Sequence, residues 1–124
     1  MAHIHADRRE PAAPDGPITL DAVADELVAE AGAMASGRAA RTLTPGMHAP
    51  LKQTLVALRA GVRLDEHEAN GPATIHLLRG AASIGTADDR IDLRGGDWAI
   101  IPAARHDLQA AEDTVALITV APTA

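Results

Sequence analysis

Two stretches share one plan: Gly61-Val62-Arg63-Leu64-Asp65-Glu66-His67 and Gly96-Asp97-Trp98-Ala99-Ile100-Ile101-Pro102-Ala103-Ala104-Arg105-His106. Each runs from a glycine turn through a short extended stretch to a histidine. Working outward from them, the chain beyond Thr42 breaks into short apolar or alternating runs at 51–59, 73–78, 81–85, 90–93, 98–101, 107–111 and 114–120. Between the runs stand turn formers: Pro45-Gly46, Asn70-Gly71-Pro72, Ala87-Asp88-Asp89 and Gly95-Gly96-Asp97. Short strands at regular spacing with glycine, proline and aspartate punctuation predict an antiparallel sandwich or barrel. No segment of this half has the length and period of a helix, and no repeat occurs at a solenoid period.

The N-terminal part reads differently. Residues 1–17 hold Pro11, Pro14, Gly16 and Pro17, a composition that predicts a flexible arm. His3 and His5 fall in that arm and read as tail residues. Over 18–37, Leu20, Val23, Leu27, Ala31 and Met34 recur at three- and four-residue steps, which predicts an amphipathic helix with Thr19 as N-cap. Its other positions are acidic: Asp21, Asp25, Glu26 and Glu30. A membrane-surface helix is usually basic there, so packing on the domain or a partner subunit is expected. The barrel domain is expected over 41–121.

Composition narrows the functions. The 124 residues suffice for one domain. A net charge of -6 and no run of basic residues argue against nucleic-acid binding, with Arg38 and Arg41 read as a solvated edge. There is no cysteine, which removes disulfides, thiolate nucleophiles and thiolate metal sites. No apolar run approaches a membrane span and the N-terminus lacks a signal-peptide core, so a cytoplasmic protein without membrane association is expected. Trp98 is the only aromatic residue, so any pocket would be lined by aliphatic and polar groups.

The two opening stretches, taken as a pair, resemble the motifs of the cupin superfamily. Its first motif is a glycine, five residues, a histidine, a second histidine two residues on, then a glutamate and a closing glycine. Its second is a glycine, five residues, a proline, and a histidine shortly after. Here Gly61 and His67 have the first spacing with Gly80 closing it, while Gly96, Pro102 and His106 have the second. The resemblance covers roughly 51–120. It implies an all-β, cupin-type antiparallel β-barrel of jelly-roll kind, commonly dimeric, with a pocket at one end. The departures are specific. The second histidine falls on Ala69, the glutamate on Ala73, and the 102–106 spacing is one residue short. Of the four ligand positions the resemblance implies, His67 and His106 remain.

A third ligand has to come from elsewhere. If 67–73 is extended, alternation puts 67, 69 and 73 on one face and turns Glu66 and Glu68 away from His67. Glu68 after a local bend, His48 and Gln53 are the candidate third ligands. His48 also reads as a loop residue after Pro45-Gly46, and His76 as a surface residue of opposite parity to position 73. Asp97 and Asp88-Asp89 read as turn residues, and Ser36 and Ser83 lack a neighbouring base. If a metal is held, it is one divalent transition ion, Zn, Fe, Mn or Ni. Three functions are carried: a small-molecule binding barrel around His67 and His106, a metal-dependent dioxygenase or isomerase at the same residues, and an interaction module using the helix. The apolar stripe of the helix, together with the run 114–120, predicts a homodimer.

Overall fold

A computed structural model describes residues 16–67 and 70–123, with the backbone alone for Glu66 and His67. Among these residues the order is one helix, α1 (Leu20–Ala33), then β1 (Arg38–Thr42), β2 (Lys52–Leu58), β3 (Arg63–His67), β4 (Ala73–Arg79), β5 (Ala81–Gly85), β6 (Arg90–Arg94), β7 (Trp98–Ile100), β8 (His106–Ala110) and β9 (Thr114–Val120). A five-stranded sheet of order β1-β2-β9-β4-β7 faces a four-stranded sheet of order β3-β8-β5-β6, and every pairing is antiparallel. This is the expected jelly-roll barrel with an N-terminal helix. The arm expected over 1–17, with His3 and His5, lies almost wholly outside the described residues.

Strand alternation divides the apolar residues between two cores. Leu58, Ile75, Leu77, Ile84, Leu108 and Ala116 point between the sheets, with Val56, Ile118 and Val120 packed against them. The alternate residues of the same strands, Leu55, Ala57 and Val115, join Ala24, Leu27 and Ala31 of the helix in a second core. Hence the helix lies on the outer face of the five-stranded sheet. Four of its acids are paired there by two sheet arginines: Arg41 with Glu26 at 2.6 Å and Glu30 at 2.9 Å, Arg79 with Asp21 at 2.5 Å and Asp25 at 2.8 Å. Asp21 first, then Asp25, raises the Arg79 guanidinium above its ordinary pKa.

Several expectations change here. The segment 38–42 is a strand at the edge of the five-stranded sheet, with Arg38 exposed on it. Its alanine and arginine content gave no β signal, and it forms because it pairs with β2 beneath the helix. Met34 is 53 % exposed, beyond the helix end at Ala33, so it is not part of the apolar stripe. Thr19 occupies the N-cap without a side-chain capping bond. The helix stripe and the run 114–120 bury each other within one chain, so they do not by themselves call for a partner.

Gly80 shows why a motif glycine is needed. It turns β4 into β5 at φ +91°, where side-chain residues are strained. A Cβ there would also lie 2.9 Å from Thr114 Cα and run into the Asp113 carbonyl.

Candidate functional site

The register brings the two motif histidines together. β3 and β8 pair with His67 directly opposite His106 at the end of the four-stranded sheet. Ala73, the first residue of β4, pairs with Val120, and Val120 in turn pairs with Lys52. Lys52, Ala73, Val120 and His106 border one hollow, so these ends of the two sheets form one rim of the barrel.

Beneath the rim lies a cavity of about 250 Å³. Its wall is aliphatic: Leu64, Ala73, Ile75, Ile84, Ile101, Leu108, Ile118 and Val120. Lys52, Asn70 and His106 supply its polar groups, and Pro122 completes the lining. The absence of stacking surface follows the composition, because Trp98 sits on the outer face of β7 and is 60 % exposed.

His106 is 4 % exposed. Its parity with Leu108 and Ala110 turns it inward. Its Nδ1 lies 2.9 Å from the Ala104 carbonyl oxygen. A carbonyl only accepts, so Nδ1 carries a proton and donates it. This backbone contact within the short 102–106 turn fixes the orientation of the ring.

The neighbouring residue points the other way. Asp107 is buried on the outer face, where Arg63 donates to its Oδ2 from Nε at 3.1 Å and Nη2 at 3.0 Å, and Arg90 bonds its Oδ1. Gly85 makes room for the Arg90 guanidinium, which a side chain on β5 would strike. Ser83 accepts from Arg90 Nε at 3.0 Å and so belongs to this outer network. The network anchors β8 beside His106 without contributing to the cavity.

The candidate third ligands do not gather at His106. Gln53 has opposite parity to Lys52 and donates to Thr119 Oγ1 at 3.2 Å on the outer side of the sheet. His48 is exposed in the 46–49 turn and does not line the cavity. Both assignments are therefore corrected, by the pleat in one case and by the turn in the other. Glu68 lies outside the described residues. Ala73, at the position where the resemblance implies glutamate, presents only a methyl group. Among the described residues no three His, Asp or Glu side chains converge on a metal-sized site. A catalytic metal normally needs three protein ligands. Among the described side chains, His106 is the one potential His, Asp or Glu ligand at the cavity.

Of the expected turn residues, Asp97 accepts from the Arg94 backbone at 2.8 Å, and Asp88-Asp89 form the β5–β6 tip. His76 is half-buried on the outer face of β4. Sequence reasoning missed Lys52. The signal was present: a lysine opening a strand whose alternate residues face the barrel interior.

No family model and no curated protein matches the chain. Solved structures do. The conserved SPY1581 protein of unknown function from Streptococcus pyogenes is similar at 25% identity and a TM-score of 0.64, over 73% of this chain and 79% of that one. A cupin superfamily protein from Desulfitobacterium hafniense is similar at 22% identity and a TM-score of 0.63, over 69% of this chain and 78% of that one. A salicylate 1,2-dioxygenase variant from Pseudoaminobacter salicylatoxidans superposes with a TM-score of 0.72 at 22% identity, over 89% of this chain but only 36% of the enzyme. These likenesses show the fold, a cupin-type barrel. No helix among the described residues is long and apolar enough to cross a membrane.

Proposed function

We propose that this cupin-fold barrel binds a small molecule in the cavity beneath His67 and His106. One observation carries the reading: the aliphatic wall is left unfilled, while a buried imidazole held by its Nδ1 bond to the Ala104 carbonyl stands at its rim. Ligand sites combine an apolar lining with a few convergent polar groups in this way. The volume of about 250 Å³ lies just below the ~300–1,000 Å³ usual for drug-sized ligands, so the ligand is a small one.

The test is a ligand-observed NMR fragment screen against the wild type and Ala73→Leu, which fills the cavity from its wall. Fragments should bind the wild type and lose their signal in the variant. Equal binding to both proteins would sink the reading. Near-stoichiometric transition metal in purified protein, lost in His67→Ala/His106→Ala, would replace it with the metal-dependent enzyme, Glu68 then being the donor to examine.

A homodimer is proposed alongside. Its support is the surface that the fold leaves bare: Trp98, Ile100 at 66 % exposure, and Leu51 border one groove beside the edge strand β7. Contiguous exposed apolar residues of this kind often mark an association surface. Sedimentation equilibrium should give twice the chain mass, falling to the chain mass in Trp98→Glu/Ile100→Lys.

A further inference from the structure

We infer that the ligand is a small apolar monoanion, such as an aliphatic carboxylate, and that Lys52 is its counter-ion. The inference rests on the binding reading above and names the class of molecule that fits it.

Lys52 is the one lysine of the chain. Its register places it on the cavity face of β2, level with Val120 and Ala73, while Gln53 turns toward the outer face. It is half-buried, and its side chain makes no hydrogen bond or ion pair among the described residues. Four arginines, Arg41, Arg63, Arg79 and Arg90, have carboxylate partners, and none of the four lines the cavity. Among the described residues no aspartate or glutamate lines the cavity, although acids outnumber basic residues 17 to 11 in the chain. The one lysine of an acidic protein thus stands at an apolar hollow where no carboxylate of the described residues meets it.

Bringing a charge toward an apolar space costs free energy unless an opposite charge accompanies it. A carboxylate placed at Lys52 meets that condition for both partners. Its tail would then lie against Ile75, Ile84 and Ile118, which offer aliphatic contact and no ring to stack on. A neutral ligand of the same length would gain the apolar contact and leave the ammonium unpaired. A cation would be repelled.

Hexanoate, hexanol and hexylammonium separate these cases in isothermal titration. Reductive methylation with labelled formaldehyde adds a direct probe, since Lys52 supplies the only side-chain amine and the N-terminus serves as internal reference. Hexanoate should bind at least ten-fold more tightly than hexanol, hexylammonium should not bind, and the dimethyl-Lys52 signal should move on titration with hexanoate. Lys52→Gln should bring hexanoate down to the level of hexanol, and Lys52→Arg should keep the preference. Hexanol binding as tightly as hexanoate, with a stationary Lys52 signal, overturns the anion assignment and leaves the cavity reading intact. Binding of none of the three probes, together with a fragment screen that Ala73→Leu does not alter, overturns both.

Discussion

The five-stranded sheet has two faces made from the same strands, and the protein treats them differently. On the outer face, Leu55, Ala57 and Val115 meet Ala24, Leu27 and Ala31, and the helix closes a buried core. On the inner face, Ala73, Ile75 and Ile118 line a space that the opposite sheet does not fill. Strand β9 serves both, with Val115 turned out and Ala116 turned in. Alternation alone makes both faces apolar. Whether an apolar face becomes packing or pocket depends on what is laid over it: a helix that fits closely, or a sheet held apart at one rim. Stability is therefore expected to reside more in the outer core, and binding in the inner one.

This contrast can be broken by substitution. Leu27 is fully buried between helix and sheet, so Leu27→Ala should cost about 2–4 kcal/mol in urea unfolding while hexanoate affinity of the folded protein stays within about two-fold. A small loss of stability with a large loss of binding would reverse the assignment of roles. The alanines sharpen the point. Ala24 is 1 % exposed in the packed core, and Ala24→Leu should overpack it at about 1–3 kcal/mol. Ala73 is 5 % exposed but borders the cavity, so Ala73→Leu should stay within about 1 kcal/mol of wild type. Equal costs for the two leucines would mean that the inner face is packed as tightly as the outer one.

Much of this architecture could be read from the chain. The turn residues and short runs located eight of the nine strands, if the extended stretch ending at His67 is counted, and apolar periodicity located the helix. The strand 38–42 escaped because its residues carry no β preference of their own; long-range pairing with β2 makes it a strand. The site was partly legible. Motif spacing singled out His106, and the structure buries it at the cavity. Gln53 was misassigned because candidates near a strand start were weighed without knowing which parity faces inward. Lys52 was missed for the same reason, one residue away.

What the sequence determined by itself was local: where the chain turns, which segments alternate, where a helix begins, and that two glycine-to-histidine stretches recur in order. Those properties depend on backbone preferences and on side-chain period, and both are written within a few residues. What only the tertiary structure decided was the pairing of distant strands and the face each residue presents. A one-residue change of register exchanges the inward and outward sets of a strand. That rule sends Lys52 to the cavity and Gln53 to the outer face, His106 to the rim and Asp107 to the arginines outside.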